Sequence, residues 1–413
     1  MRDTTTPAVA DLATIQDAFP ALRRRHRGHP VGYLDGPGGT QVPQVVMGAM
    51  VDYLTHHNAN THWAYPTSEE TDDVVLQARE VVAEFLNGRA EEVVFGQNMT
   101  TLTFHLARGL AREWGPGDEV VITDLDHHAN RAPWTVLEAE RGIVIRSVPF
   151  NPATGELIWD ALERSLNPRT RLLAIGAASN ALGTVSNVRR ACALARAAGA
   201  LSFVDGVHSA PHLLPDVAHL GCDFFACSPY KFYGPHLGVL WGRSDLLGSV
   251  QVPRLAPAPD TAPERLETGT LSHEAIAGTE AAIRFLGDLA PGRATLREAL
   301  RDSYAILHAR AATQVRRTWE GLSVLPGVTV YGPGPDRPRT STIGFTVAGH
   351  SSETVARRLV DRGLFLSHGD FYAATVLERL GLETEGLVRV GYSCYNSDEE
   401  VERLLDVVAA LPA

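Results

Sequence analysis

Lysine is almost absent from the sequence, which makes the one lysine that is present informative. Lys and Arg together number 37 in 413 residues, and 36 of them are arginines, so Lys231 stands alone. Arginine keeps its charge in proteins, whereas a desolvated lysine amine can lose a proton and attack a carbonyl group. The retention of this single lysine therefore indicates a covalent role. An ordinary surface lysine is the alternative.

Cysteines, long apolar runs and an excess of basic residues are also missing. Four cysteines are scattered without the spacing of a metal site, and they are too few for a disulfide framework in so long a chain. No stretch of 18 or more apolar residues occurs, and the first thirty residues lack a secretory pattern. A net charge of −11 argues against a nucleic-acid partner. We therefore expect a cytoplasmic protein that binds neither membrane nor nucleic acid.

The chain from residue 92 to 242 alternates short apolar runs with helical patterns. Strands are predicted near 93–95, 119–123, 142–149, 171–176, 201–204, 223–227 and 238–241. These runs are too continuously apolar for a half-exposed sheet, so they predict an α/β domain with a mainly parallel sheet covered by helices. Such sheets bind ligands in the loops at the carboxyl ends of their strands.

A proline-rich stretch, residues 252–263, interrupts this pattern, and a second set of elements follows it. A long helix is predicted at about 292–318, and then four strands alternate with helices up to residue 411. We expect an N-terminal segment at 1–30 that packs with the small domain, a large domain at 31–285, and a small C-terminal α/β domain at 286–413.

Polar residues follow several predicted strands of the large domain. A buried strand ends at Asp205, His208 follows three residues later, and Lys231 lies in a further loop of this kind. Asp126, His127 and their neighbours could instead form a metal cluster. Adjacent histidines on one short loop point in divergent directions, and no matching third ligand is evident, so we expect no metal.

The order of these motifs resembles that of one enzyme family. Asn180 begins an Asn-x-x-Gly motif. Asp205 is the second residue of a Val-Asp-Gly-x-His motif, and Lys231 lies within Ser-x-x-Lys-x-x-Gly-Pro. Together with the glycine-rich residues 33–40 and the segment 389–396, they resemble the pyridoxal 5′-phosphate (PLP) enzymes of the class V aminotransferase and cysteine desulfurase family. The resemblance covers nearly the whole chain. It implies fold type I, with a mainly parallel seven-stranded sheet and a smaller C-terminal α/β domain.

The resemblance implies a role for each residue of the cofactor site. Lys231 would form the Schiff base with PLP, and Asp205 would keep the pyridine nitrogen protonated so that the ring acts as an electron sink. Asn180 and His208, which replaces the glutamine of many relatives, would bind the phenolic oxygen. His127 would lie flat on the ring.

The same resemblance assigns the phosphate contacts. Met99 and Thr100 open a helix whose backbone N–H groups would bind the phosphate. Ser228 and Tyr230 precede the lysine, and Tyr230 replaces the histidine of many desulfurases. Thr270 matches a residue that reaches the phosphate of the neighbouring subunit in relatives. We therefore expect a homodimer with shared active sites.

Substrate contacts are expected from both ends of the chain. Arg389 matches the arginine that clamps the carboxylate of an amino-acid substrate, and Gly38 belongs to a substrate-side loop. The loop at 58–65 is rich in polar and aromatic groups, and its contacts would come from Asn60, His62 and Trp63.

The sequence departs from the family at one catalytic position. Cysteine desulfurases carry a mobile cysteine in the loop that corresponds to residues 363–373, and Tyr372 occupies that position here. A phenol with a pKa of about 10 is a poor sulfur nucleophile. Tyr372 or His368 could instead supply a proton or shape the substrate site.

We therefore expect a PLP-dependent carbon–sulfur lyase that acts on cysteine or a cysteine S-conjugate by β-elimination in a specialised biosynthetic pathway. One alternative is an aminotransferase or a decarboxylating deaminase on an S-conjugated amino acid. The others are a cysteine desulfurase and a non-catalytic scaffold.

Overall fold

The structure is a computed structural model that describes residues 10–411. Residues 1–9 of the predicted N-terminal segment, and residues 412–413 of the predicted small domain, lie outside the described residues. None of the helices within residues 10–411 combines the length and the apolar character that a membrane span requires.

The described part of the chain alternates helices and strands throughout. The helices are α1 (Leu12–Asp17), α2 (Gln44–Asp52), α3 (Pro66–Leu86), α4 (Met99–Leu110), α5 (Ala132–Arg141), α6 (Trp159–Ser165), α7 (Val188–Ala197), α8 (Val217–Leu220), α9 (Ser244–Ser249), α10 (His273–Asp288), α11 (Leu296–Ser323), α12 (Ser352–Asp361), α13 (Ala374–Leu380) and α14 (Asp398–Ala409). The strands are β1 (Arg25–His26), β2 (His29–Pro30), β3 (Gly32–Tyr33), β4 (Val93–Gly96), β5 (Glu119–Thr123), β6 (Val144–Val148), β7 (Phe150–Asn151), β8 (Glu156–Leu157), β9 (Thr170–Gly176), β10 (Leu201–Asp205), β11 (Phe224–Cys227), β12 (Gly238–Gly242), β13 (Val328–Tyr331), β14 (Thr342–Val347), β15 (Leu364–Phe365), β16 (Ser367–Gly369) and β17 (Leu387–Gly391).

A seven-stranded sheet with the strand order β4-β12-β11-β10-β9-β5-β6 forms the centre of the molecule. Strand β12 runs antiparallel to both of its neighbours, and the other pairs are parallel. Strands β5, β10, β11 and β12 are buried or nearly buried along their whole length, as their continuous apolar sequences predict. The predicted mainly parallel seven-stranded sheet of fold type I is confirmed.

The parallel strands bring their carboxyl ends to one edge of this sheet. Because β12 is antiparallel to both β4 and β11, β4 points in the same direction as the parallel strands. The strand ends at Gly96, Thr123, Gly176, Asp205 and Cys227 therefore lie along the same edge. The loops that follow them carry the residues predicted to bind the cofactor.

Apolar side chains pack on both faces of the large sheet. One core cluster includes Val121, Val204 and Phe225, and a second includes Val120, Phe203 and Phe224, as expected from alternation along each strand. The residue after Asp205 must be small, because a Cβ atom on Gly206 would lie 2.0 Å from the Phe225 ring. Close packing against Phe225 therefore determines the path of the backbone where β10 enters the candidate site.

A four-stranded antiparallel sheet with the order β13-β14-β17-β16 forms a second core. The long helix α11 precedes it and begins at a capping box formed by Thr295 and Glu298. It runs from 296 to 323, which is about one turn later than the predicted range. The strands β16 and β17 bring Ser367 and Arg389 opposite each other.

The chain before the large sheet contacts the C-terminal part of the molecule. Strand β3 pairs in parallel with β15. Arg27 forms an ion pair with Asp361, and Arg403 donates to the carbonyl oxygen of Pro30. These contacts suit the predicted packing of the N-terminal segment, while the domain boundaries at residues 30 and 285 stay a prediction.

Candidate active site

Lys231 is buried at the carboxyl edge of the large sheet. It ends a 3₁₀ turn, Pro229–Lys231, directly after β11, and only 8% of its surface is exposed. Its Nζ donates to the carbonyl oxygens of Pro37 and Gly38, the latter at 3.1 Å. Burial, together with the nearby positive charge of Arg389, lowers the pKa of Lys231 to about 7. A large share of the amine is thus uncharged near neutral pH, as a nucleophilic lysine requires.

Asp205 lies at the end of the neighbouring strand β10. The Val207 backbone N–H donates to its Oδ1 at 2.9 Å, which leaves Oδ2 for a ligand. Burial raises the pKa of this carboxyl group to about 6. A cationic ring nitrogen beside it would offset that cost, because an adjacent opposite charge stabilises a carboxylate.

Asn180 and His208 each present a buried polar atom that lacks a partner among the described residues. These atoms are the Asn180 Oδ1 and the His208 Nδ1, and both residues line the cavity that contains Lys231. The Asn180 Nδ2 donates to the Phe371 carbonyl oxygen at 3.0 Å. The His208 Nε2 lies 3.1 Å from the Thr340 hydroxyl and 3.0 Å from the Thr342 hydroxyl. An unpaired buried polar group is costly, so both atoms point to a missing ligand.

His127 is a neutral ring beside the same cavity. Its Nδ1 accepts a hydrogen bond from the Ala129 N–H at 3.0 Å, which places the remaining ring proton on Nε2. Burial, and next the nearby Lys231 charge, lowers the pKa of His127 to about 4. The ring therefore stays uncharged at neutral pH, as expected for a side chain that stacks on a heteroaromatic ring.

The N-terminus of helix α4 opens onto this cavity. Asn98 caps the helix through its side-chain oxygen, which accepts from the Thr101 N–H at 2.8 Å. Met99 and Thr100 follow the cap and line the cavity, where the positive end of the helix dipole favours an anion. Ser228 and Tyr230 line the same cavity from the lysine side.

All nine cofactor-site residues predicted within one chain therefore converge on one place. They are Met99, Thr100, His127, Asn180, Asp205, His208, Ser228, Tyr230 and Lys231. The N-terminus of helix α4 matches the phosphate of PLP, and the Lys231 amine matches its aldehyde. The Asp205 carboxylate matches the ring nitrogen, and the unpaired atoms of Asn180 and His208 match the phenolic oxygen. The residues fit that cofactor, and their individual roles stay predictions.

A wider cleft of about 600 Å³ continues from this cavity toward the surface. Gly38, Thr100, His127, Asn180 and Lys231 line it on the cofactor side. The cleft is large enough for an amino acid with a substantial side-chain group. We call it the substrate cleft.

Arg389 lies in the wall of the substrate cleft and is held in place by three oxygen atoms. Its Nε donates to Ser367 Oγ at 3.0 Å, its Nη1 to the Asn180 carbonyl oxygen at 3.1 Å, and its Nη2 lies 3.4 Å from Asp35 Oδ1. The guanidinium group also lies 4.1 Å from the centre of the Phe371 ring. One N–H on each terminal nitrogen remains for a two-pronged carboxylate contact.

Sequence reasoning missed Asp35 and Ser367, and the substrate role expected for His368 stays a prediction. The Ser367 hydroxyl donates to Asp35 Oδ1 at 2.7 Å, so the two residues together orient Arg389. Ser367 lines the substrate cleft, whereas His368 is exposed and does not. Successive strand residues point to opposite faces, which explains why the two neighbouring side chains differ. Alternation separates Ser367 from His368, but the pairing of β16 with β17 decides which of the two faces the cleft.

Tyr372 lies at the mouth of the substrate cleft. The loop that carries it is strained, because Phe371 and Tyr372 both have a φ of 56°. The Tyr372 side chain is 73% exposed, its ring centre is 5.6 Å from that of His127, and its carbonyl oxygen accepts from the His128 N–H at 2.7 Å. The Tyr372 phenol therefore lies between the His127 ring and the solvent.

The loop at 58–65 lies elsewhere in the single chain. Asn60 and His62 line a surface groove of about 1020 Å³ together with Thr270, and Trp63 is exposed. These four residues do not reach the cavity of Lys231 within the same chain. Their predicted roles thus depend on a second subunit and stay predictions.

All four cysteines are buried and reduced. Burial raises the pKa of Cys394 to about 12 and that of Cys192 to about 11, and it also raises those of Cys222 and Cys227. None of the four lines the substrate cleft. The expected loss of the persulfide-forming cysteine suits this arrangement and stays a prediction.

The acidic residues beside His127 are engaged in structural contacts. Asp124 pairs with Arg131 and Arg379, and Asp126 accepts from the Gly176 N–H at 2.7 Å. Within residues 10–411, no group of three or more His, Cys, Asp or Glu side chains is arranged to hold a metal ion.

The chain is similar to known proteins along nearly its whole length. The family model described as Aminotransferase class-V matches residues 32–404. A protein of Klebsiella pneumoniae (strain 342) named cysteine desulfurase is 34% identical over 407 residues, which cover 94% of this chain and 95% of that protein. A probable cysteine desulfurase of Mycobacterium leprae (strain TN) is 33% identical over 419 residues and 97% of this chain, and the match spans 65% of the length of that protein.

Solved structures show the same similarity. The crystal structure of an Escherichia coli cysteine desulfurase, in its S-sulfonic acid form, superposes with a TM-score of 0.84 at 27% identity. The match covers 97% of this chain and 98% of that one.

Proposed function

Because the chain belongs to the class V aminotransferase family of PLP enzymes, and to its cysteine desulfurase-like members, we propose that it is a PLP-dependent carbon–sulfur lyase. Its proposed substrate is L-cysteine or a cysteine that carries a substituent on sulfur. The reaction is β-elimination, which needs no cysteine of the protein. The observation that carries this proposal is the set of nine predicted cofactor-site residues around one cavity, combined with four buried cysteines.

When bound, PLP supplies an aldehyde for the substrate amine and an electron-withdrawing ring that acidifies the Cα–H bond. Asp205 would pair its carboxylate with the ring nitrogen and so keep that nitrogen protonated. Neutral His127 would cover one face of the ring. The Nδ1–H tautomer of His208, with Nε2 accepting from the Thr340 and Thr342 hydroxyls, would donate to the phenolic oxygen.

Arg389 would bind the substrate carboxylate and so fix the orientation of Cα. Its Nε and one N–H of each terminal nitrogen are occupied by protein oxygens, so the two free N–H groups determine the approach of the ligand. This arrangement selects an α-amino acid over a simple amine.

Lys231 would accept the Cα proton once the substrate has replaced it on the cofactor. A pKa of about 7 leaves the amine able to accept and return a proton near neutral pH. Tyr372, at the mouth of the substrate cleft, would hold a proton near the departing sulfur atom. Its exposed position would leave room for a substituent on that sulfur.

The proposed reaction converts an S-substituted cysteine and one water into a thiol, pyruvate and ammonium. The experiment is to incubate the loaded enzyme with S-substituted cysteines and to quantify all three products. We expect a 1:1:1 ratio. Stoichiometric transfer of the amine to a keto acid without release of thiol would contradict the lyase proposal and favour the aminotransferase.

The second candidate is a cysteine desulfurase, which the names of the relatives support better than they support action on S-conjugates. That reaction requires a protein thiol to take the sulfur atom as a persulfide. Cys394 is the nearest candidate in sequence to the mobile loop, yet it is 4% exposed and its N–H is bonded to the Tyr233 hydroxyl at 2.9 Å. Persulfide on Cys394 after incubation with L-cysteine would favour this candidate.

We also propose that the enzyme works as a cytoplasmic homodimer. The exposed positions of Thr270, Asn60 and His62 around one groove support the idea that they serve the active site of a partner subunit.

A further inference from the structure

A second cavity lies behind the cofactor site, between helix α11, residues 211–213, residues 335–341 and residues 392–394. We call it the rear cavity. Its volume is about 200 Å³, whereas a water molecule takes up roughly 30 Å³ in the liquid. It shares no lining residue with either the cofactor cavity or the substrate cleft.

Basic side chains surround the rear cavity. Its lining includes Arg310, Arg337, Arg339, His212 and His308, and no Asp or Glu among the described residues. Exposed His308 and Arg337 lie toward solvent, and Arg337 pairs with Glu156 outside the cavity. The more enclosed part therefore has an excess of positive charge that no carboxylate offsets.

Arg339 differs from the other buried arginines of the described chain. Arg79, Arg265 and Arg389 each have a carboxylate within ion-pair distance. Arg339 is 7% exposed, donates only to the backbone carbonyl oxygens of residues 333, 340 and 342, and lies 4.8 Å from the Trp319 ring centre. A buried cation without an anion is costly, so a bound anion would be stabilised there.

Arg310 and His212 add donors to the same cavity. Arg310 donates to the carbonyl oxygens of Cys394 and Asn396, and no described ion pair engages it. The His212 Nε2 is buried and has no described hydrogen-bond partner. Burial lowers the pKa of His212 to about 3, so its ring is neutral and donates from Nε2 in the Nε2–H tautomer, beside the free N–H groups of Arg310.

We propose that the rear cavity binds a small anion with oxygen donors, either an inorganic oxyanion or a small carboxylate, independently of the substrate cleft. Arg310, Arg339 and His212 supply the binding groups. This site does not depend on which carbon–sulfur reaction the enzyme catalyses.

The rear cavity is linked to the cofactor site through two contacts. Thr340 lines the rear cavity, and its hydroxyl lies 3.1 Å from the His208 Nε2. The ring of His212 lies edge-on to that of His208, with 5.3 Å between their centres. An anion in the rear cavity would therefore change the environment of the side chain nearest the predicted phenolic oxygen. Its binding should be visible in the absorbance of the bound cofactor.

The test is equilibrium binding of sulfate to the PLP-loaded enzyme at constant ionic strength, with acetate in a parallel arm. Loading with PLP keeps sulfate out of the phosphate site at helix α4. We expect saturable anion binding that persists in Arg389→Gln, which lacks the carboxylate contact of the substrate cleft, and a shift of the cofactor spectrum. Preference for sulfate would identify an oxyanion site, and preference for acetate a carboxylate site.

Variants assign the binding to the rear cavity. Arg310→Gln should weaken binding about tenfold or more, as loss of a charge-assisted contact predicts. Arg317→Gln is the matched control, since Arg317 lies on the same helix, pairs with Glu402 and does not line the cavity. Arg389→Gln should leave the anion affinity unchanged, because its side chain belongs to the substrate cleft.

A further variant keeps the test decisive if Arg310→Gln folds poorly. Arg337 is exposed at the edge of the cavity, so Arg337→Gln leaves the core intact and should weaken anion binding about twofold to fivefold. Absence of saturable binding to the wild-type enzyme would overturn the proposal. So would full affinity in both Arg310→Gln and Arg337→Gln, or loss of all binding in Arg389→Gln.

Discussion

The two ends of the candidate site differ in burial and in backbone geometry. At the cofactor end, Asp205, His208 and Lys231 are each less than a tenth exposed and follow strands of one sheet. At the mouth, Tyr372 is 73% exposed and lies in a loop with two consecutive non-glycine residues at positive φ. The residues of the cofactor end are thus held by the sheet edge, whereas Tyr372, which is proposed to act near the substrate sulfur, lies in an exposed loop.

The proposed function assigns the retained cofactor chemistry to the buried end and the proposed change of reaction to the mouth. A substitution at an exposed loop position costs little stability, while a substitution among the buried groups would leave polar atoms unpaired. Under the proposed function, a tyrosine at position 372 would not take up sulfur as a loop thiol does, while deprotonation at Cα would stay possible. Severe effects of substitution are therefore expected at the cofactor end and graded effects toward the mouth.

The largest effect is expected for Lys231→Ala. The variant has no lysine left, so no other side-chain amine can replace it. We expect loss of the visible absorbance of bound PLP and a fall in kcat of at least about 10³-fold, the scale of lost general-base catalysis. Lys231→Arg should be equally inactive, because arginine does not release its proton. Substantial activity in either variant would contradict the assignment.

The second largest effect is expected for Arg389→Gln. Loss of a two-pronged ionic contact should lower kcat/KM about 100-fold, mainly through KM, while the spectrum of bound PLP stays the same. Arg357→Gln is the control, since Arg357 is an exposed arginine that pairs with Glu353 on helix α12. An unchanged KM in Arg389→Gln would place the substrate carboxylate elsewhere.

Tyr372→Phe tests the mouth directly. Removal of the hydroxyl should lower kcat for S-substituted cysteines about tenfold, because an exposed proton donor can be partly replaced by water. The effect should shrink as the leaving thiol becomes more acidic and needs less help from a proton donor. The same loss for all leaving groups would indicate that Tyr372 only shapes the cleft.

The smallest effect is expected from two neighbouring residues, Ser367 and His368. Ser367→Ala removes the hydroxyl that bridges Arg389 and Asp35, so KM should rise about fivefold, as for one hydrogen bond. His368→Ala should change KM less than twofold, since that side chain lies outside the cleft. Equal effects would mean that strand alternation does not separate the two positions.

The sequence predicted the buried end of the site better than its mouth. Lys231, Asp205, His208 and Asn180 follow predicted strands, and parallel strands bring the residues after them to one sheet edge. Asp35 and Ser367 escaped prediction because they reach Arg389 through long-range contacts that no local pattern encodes. The contact of Asp35 with Arg389, for example, joins residues 354 positions apart.

The contacts within the small domain were also only partly predictable. Its strands were found at nearly the right positions, yet the register between β16 and β17 decides that Ser367, rather than His368, lies opposite Arg389 in the cleft. Register depends on pairing between distant segments and is not visible in one strand alone. The role of the loop at 58–65 needs a second subunit, which a single sequence does not display.

The most direct test of the central claim is the carbon product formed from unsubstituted L-cysteine by the PLP-loaded enzyme. Elimination yields pyruvate with hydrosulfide and ammonium, while sulfur transfer to the protein yields alanine and a persulfide. We predict pyruvate, equimolar hydrosulfide, and no gain of a sulfur atom in the mass spectrum of the protein. Alanine together with persulfide on Cys394 would contradict the account.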